Sequence, residues 1–164
     1  MLYRIEAGVF PHLDDTVGRN VKARVKSDLG LEAERARVVK VFTLDAVTAD
    51  QARELLDQAV LHDPVLQEAS LSPLPCDADW IIEVGYRPGV TDNEGRTARD
   101  TAAMVLGLPR SSIAVYTSTQ YRFWGQFDRA QVEHIARLER LQALAEELEA
   151  LALHCAQQKK EGGT

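Results

Sequence analysis

The sequence predicts an α+β fold made of two β-α-β-α-β repeats that pair as a pseudo-dimer through an antiparallel sheet, the second repeat ending in a long helix. Three observations carry this expectation. The chain repeats itself: Ile5-Glu6-Ala7-Gly8 recurs as Ile82-Glu83-Val84-Gly85, Pro11 as Pro88, Asp15 as Asp92, Gly18-Arg19 as Gly95-Arg96, and Leu29-Gly30-Leu31 as Leu106-Gly107-Leu108. The offset is 77 in every pair, starting with Tyr3 and Trp80. Apolar residues switch between strand and helix spacing in the same order in both halves. Each repeat of about 75 residues has too thin a core to stand alone and is stabilised by its twin.

The elements follow in order. Leu2–Val9 alternates apolar and polar residues, the mark of a strand, and Pro11 ends it. Asp14 and Asp15 offer helix caps, Val17, Val21, Val25 and Leu29 follow at four-residue spacing, and Gly30 is a favoured stop. Arg37–Leu44 reads as the second strand. Thr48 caps a second helix with Ala52, Leu55, Leu56, Ala59 and Val60 on its apolar side. Asp63-Pro64 turns the chain into a short third strand, Val65–Leu71. This first repeat spans residues 1–72, and the linker, 73–79, is rich in proline and acids.

The second repeat spans 80–158. It restarts with a strand, Trp80–Arg87, a Pro88-Gly89 turn, a helix Asp92–Leu106, and a strand from Ser112 to Tyr121 that Arg122-Phe123-Trp124-Gly125 can extend. A final helix begins near Asp128. Where the repeat calls for a turn and a third strand, Leu138, Leu141, Leu144, Leu148 and Leu151 keep helical spacing, and no proline or glycine intervenes until Gly162. That length suggests coiled-coil or bundle contact, hence a possible homo-oligomer through this helix. Residues 159–164 are expected to form a flexible tail.

Composition narrows the class. The 164 residues carry a net charge of -6, with 45% hydrophobic and 27% charged residues, as in an ordinary globular protein. Nucleic acid is not an expected partner of so acidic a chain. No stretch has the roughly 20 apolar residues that span a bilayer, and no export signal is evident, so a cytoplasmic protein without a membrane partner is expected. Cys76 and Cys155 are then expected as free thiols. Cys76 sits beside Asp77 and Asp79, which oppose a thiolate, so it makes a poor nucleophile. The four histidines lack metal-ligand spacing, and there is no CxxC, P-loop, GxGxxG or nucleophile elbow. No catalytic residue, metal or cofactor is expected.

The sharpest motif is Pro88-Gly89-Val90-Thr91-Asp92-Asn93-Glu94-Gly95-Arg96-Thr97-Ala98. Thr91 and Glu94 have the spacing of a capping box. A helix start beside a cation is also a place for an anion or an acidic partner surface. Asp92, Asn93, Gly95, Arg96 and Thr97, with Asp15, Gly18 and Arg19 in the first copy, are therefore the candidate binding residues for a partner or an anion. Gly18 and Gly95 in a first helical turn imply a close neighbour there, more readily a backbone than a ligand. Arg19 and Arg96 are expected either to pair with Glu6 and Glu83 or to face a partner. Tyr121, Phe123 and Trp124, with Arg122, are either core or an exposed anchor.

The segment from Glu83 to Ala98 resembles the PurS-type small subunit of phosphoribosylformylglycinamidine synthase, in its tandem-duplicated form. Asp63-Pro64-Val65-Leu66-Gln67 and Val115-Tyr116-Thr117-Ser118-Thr119-Gln120-Tyr121 agree with it, and the likeness covers roughly residues 2–136. It implies a non-catalytic adaptor, as subunit or N-terminal domain, that docks the glutaminase on the synthetase for ammonia transfer in de novo purine biosynthesis. The enzyme as a whole is a glutamine-dependent, ATP-consuming ligase. The helix at 138–158 departs from the family, which has a last strand there. The residues leave two other readings open: a tandem small-molecule-binding regulatory module, favoured by anion binding at Asp15 and Asp92, or a plain oligomerisation domain.

Overall fold

The computed structural model describes residues 1–86 and 91–161, with side chains as far as residue 146. The chain divides into two compact units, Met1–Gln126 and Phe127–Thr164. The first runs β1 (Tyr3–Val9), α1 (Thr16–Leu29), β2 (Arg35–Asp45), α2 (Ala49–Asp57), β3 (Gln67–Ser70), β4 (Trp80–Gly85), α3 (Asn93–Val105), a 3₁₀ turn at Arg110–Ser112, and β5 (Ala114–Trp124). The second contains α4 (Arg129–Glu161). The fold is α+β, with one five-stranded antiparallel sheet in the order β3-β1-β2-β5-β4.

Local chemistry accounts for the helix ends. The Asp15 side chain accepts the Gly18 amide at the start of α1, and Gly30, at φ 67°, closes it with its amide on the Lys26 carbonyl. Thr48 and Gln51 form a reciprocal capping box at the start of α2. Asp128 and Gln131 exchange the same pair of bonds at the start of α4.

The structure moves several expected boundaries. α2 stops at Asp57 rather than continuing through Ala59 and Val60, because Ala59 takes a left-handed φ of 51° and the Val60 amide turns back to the Leu55 carbonyl. β3 begins at Gln67, since Asp63 holds the Val65 amide by its side chain and the Gln67 amide by its carbonyl, which makes residues 63–66 a turn. β4 ends at Gly85, and Arg87–Val90 of the expected strand and turn lie outside the described residues. β5 starts at Ala114, after the 3₁₀ turn, and extends through Trp124. Residues 159–161 of the expected tail are helical, and 162–164 lie outside the described residues.

The strands are amphipathic in the antiparallel manner, with one face turned to the helices. On that face Ile5, Phe42, Leu44 and Val115 pack with Ala52 and Leu55 of α2 and with Ala98, Ala102 and Ala103 of α3 in one cluster. Elements of both repeats thus share a core. Fully burying a side chain such as Ile5, Leu44 or Leu55 contributes about 1.5–3 kcal/mol. The alanines of α3 let its backbone approach the sheet closely.

The central ladder pairs β2 with β5, and its register is reciprocal. Lys40 stands opposite Thr119, 79 residues on, while Val39 faces Gln120 and Val41 faces Ser118. Val39 and Ser118, like Val41 and Gln120, are also 79 residues apart. The ladder therefore maps onto itself when the two strands are exchanged. The offset grows from 77 to 79 between the helix stops, Gly30 and Gly107, and the following strands, β2 and β5. The two extra residues fall in the connection that holds the 3₁₀ turn.

Candidate functional site

The two helix starts are built alike. Asp15 accepts the Gly18 amide on Oδ1 at 2.9 Å and the Val38 amide of β2 on Oδ2 at 2.9 Å. Asp92 accepts the Gly95 amide on Oδ1 and the Thr117 amide of β5 on Oδ2, both at 2.6 Å. The Thr117 hydroxyl adds a further bond to Asp92 Oδ1 at 2.9 Å. Each carboxylate thus ties a helix to the neighbouring strand. Gly18 and Gly95 make the approach possible: a Cβ on Gly18 would collide with the Ala36 carbonyl oxygen, and one on Gly95 would stand 2.7 Å from that of Val115. The neighbour expected at these glycines is strand backbone.

This geometry corrects two expectations. The cap of α3 is Asp92, and Thr91 with Glu94 forms no capping box. Asp92 is one residue nearer the helix, and its two oxygens serve helix and strand at once. Glu94 forms an ion pair with Lys40 of β2. Nor do Arg19 and Arg96 pair with Glu6 and Glu83. Arg19 reaches Asp14 at 2.6 Å, and Arg96 donates to the Asn93 side chain at 2.9 Å. Both lie on the helices, where a neighbour three to five residues back is within easier reach than a strand carboxylate. Thr97 turns its hydroxyl to the Asn93 carbonyl. The two sets of candidate residues stay apart, because Asp15 leans on Val38 while the Thr117 held by Asp92 faces Phe42, four residues further along β2.

Glu6 and Glu83 instead anchor a polar network on the sheet face opposite the core, which the sequence reading missed. Arg4 grips Glu83 with both terminal nitrogens, at 3.0 and 2.6 Å, and reaches Glu6 with Nε at 3.3 Å. Gln120 donates to both carboxylates, at 3.3 Å to Glu6 and 3.2 Å to Glu83, and Ser118 donates to Glu83 at 2.6 Å. Arg122 pairs with Glu6 at 3.0 Å. The two repeat-equivalent glutamates therefore meet at one glutamine. The signal in the sequence was a glutamate at the same place in two strands, but its partners come from β1 and β5 and share no spacing.

This network also holds the linker. The Leu74 amide donates to Glu6 at 2.9 Å, and Arg122 Nη1 donates to the Leu74 and Pro75 carbonyls at 3.3 and 3.4 Å. Glu6 and Arg122 are 3% and 5% exposed, so the pair is desolvated and each charge depends on the other. Glu83 is more open. Its carboxyl is pulled down to about 2, chiefly by the Arg4 hydrogen bonds, with Ser118 and Gln120 helping against partial burial.

The aromatic run divides. Tyr121 and Phe123 are buried, on the core-facing side of β5. Trp124 points the other way, its indole N–H on Asp77 at 3.0 Å and the Arg35 guanidinium 4.6 Å from its ring centre. Cys76 is an exposed free thiol, and the Cys155 side chain lies outside the described residues. Among the described residues no group of three or more histidine, cysteine or acidic side chains is placed to hold a metal, and no helix is long and apolar enough to cross a membrane. Comparisons with protein-family models, with curated proteins and with solved structures found no match.

Proposed function

We propose that the two repeats form a pseudo-dimer and that the chain acts as a PurS-type adaptor, a subunit or domain of phosphoribosylformylglycinamidine synthase that docks the glutaminase on the synthetase for ammonia transfer. The observation that supports this most is the central ladder, where each residue of β2 faces the reciprocal position of β5. Such reciprocity is the signature of a two-fold interface between like units, here within a single chain. It gives physical support to the tandem-duplicated form that the resemblance implies. The ion pairs on the polar face hold strands and linker, a scaffolding use of charge that suits an adaptor.

The partner surface in this reading includes Arg96 and Arg19, which project from the helix starts with only short-range partners. The anion-binding alternative is disfavoured there, since the protein's own Asp15 and Asp92 carboxylates already take the Gly18 and Gly95 amides. The test is co-purification with a glutaminase and a synthetase of this class, comparing Arg96→Ala with Arg110→Ala. Arg110 is a fair control: it is 72% exposed on its side chain and lies 3.6 Å from Asp100. The adaptor reading expects capture by wild type, at least tenfold weaker capture with Arg96→Ala, and no change with Arg110→Ala. Absence of capture by the wild-type chain overturns it.

A further inference from the structure

On the polar face a cavity of about 220 Å³ opens between the linker and strands β1, β2, β3 and β5. A single ordered water needs only about 10–15 Å³ of such volume, so the space suits a small ligand. Five charged side chains line it: Arg122, which is engaged by Glu6, and four others, Arg35, Arg37, Glu68 and Asp77. The Arg35 guanidinium lies over the Trp124 ring, and Arg37 donates to the Val9 carbonyl. Asp77 accepts from the Trp124 indole. Among the described residues no ion pair joins any of the latter four to an opposite charge. The contrast with the adjoining network is sharp, where Arg4, Glu6, Glu83 and Arg122 are all paired within 3.3 Å.

With Arg122 taken up by Glu6, two guanidinium groups and two carboxylates remain around one cavity with no ion pair among them, complementary to a molecule that carries both signs of charge. A guanidinium fork fits a carboxylate, and a carboxylate accepts the N–H bonds of an ammonium. We infer that this cavity binds a small zwitterion, an α-amino acid, with its carboxylate on Arg35 and Arg37 and its ammonium toward Glu68 or Asp77. Leu74 and Pro75, also in the lining, give its side chain an apolar wall. The site is separate from the helix starts and does not depend on the adaptor reading.

The test is a thermal-shift screen of the intact chain with each of the twenty amino acids, with acetate, ethylamine and inorganic phosphate as single-sign controls. At ten times Kd, ligand linkage raises Tm by about 4 °C for a chain of this size. The expected result is such a rise with at least one amino acid and with none of the controls. Arg35→Gln, at an exposed position, and Glu68→Gln, at a half-buried one, should each weaken binding at least tenfold in calorimetry, and the loss of the Arg35–Trp124 contact should lower the unliganded Tm by no more than about 4 °C. No shift with any amino acid at about 10 mM, enough for a millimolar site, overturns the inference. So does an equal shift with acetate or phosphate, or binding that survives both substitutions.

Discussion

Gly95 has no room for a side chain. The carbonyl that blocks it belongs to strand backbone and cannot swing aside. Gly95→Ala should therefore destabilise the protein by about 1–3 kcal/mol through overpacking. Gly107 needs its residue type for a different reason, a φ of 63°, and a Cβ there would meet nothing within 4 Å. Gly107→Ala should cost only the left-handed penalty, about 1 kcal/mol. Urea denaturation of both variants separates steric from conformational need. Glu83 makes the protein sensitive to acid. Its folded carboxyl titrates at about 2 against an ordinary 4.5, so the folded state binds the proton less readily than the unfolded chain. The stability it contributes is complete above pH 4.5 and is lost as pH falls from 4.5 toward 2. Glu83→Gln should flatten the dependence of Tm on pH in that window, and an unchanged slope would show that Arg4 does not hold the carboxylate in solution.

At the scale of elements, three helix starts and the stop of α1 were legible because caps are local: Asp15, Thr48, Gly30 and the Asp128 start all stand where their chemistry requires, whereas the stop of α2 at Asp57 was not. The cap of α3 was misread, since the choice between Thr91 and Asp92 turns on the Thr117 amide, 25 residues away. The polar network was hidden for the same reason, with partners up to 116 residues apart. Arg122→Met tests what that network does. It leaves the buried Glu6 with only the Arg4 pair at 3.3 Å, so the loss should stay below the roughly 3–5 kcal/mol of a fully uncompensated buried charge. Adding Glu6→Gln removes the under-compensated charge yet keeps an acceptor for the Leu74 amide, so the double variant should recover part of the loss. A double variant less stable than Arg122→Met alone would argue against the pair as a charge-coupled latch. Limited proteolysis should cut within residues 72–79 faster in Arg122→Met than in wild type, because the linker loses two of its ties.

For the whole molecule, the repeat was the most informative thing in the sequence, and the α+β class with an antiparallel sheet follows from it. The reciprocal register was out of reach, since no run of residues encodes which strand lies beside which. The leucines of the last helix bear on association. Leu141 and Leu144 are exposed and lie about one turn apart on α4. If α4 joins copies of the chain, sedimentation should show an oligomer in wild type and a monomer in the Leu141→Glu, Leu144→Glu double variant. A monomeric wild type would dismiss that role.

The self-mapping ladder has a consequence for how this molecule can change. Two separate, identical chains joined by such a ladder are bound to remain alike at both ends, because any substitution appears twice. In the proposed pseudo-dimer, a join through residues 73–79 removes that obligation. One end of the sheet carries the short strand β3 beside β1, while β4, the counterpart of β1, forms the opposite margin. After β2 the first half goes on to a nine-residue helix, after β5 the second to a helix of 33. On the proposed pseudo-dimer, a single covalent connection lets the two flanks diverge, so that one can keep its shape while the other acquires a new one.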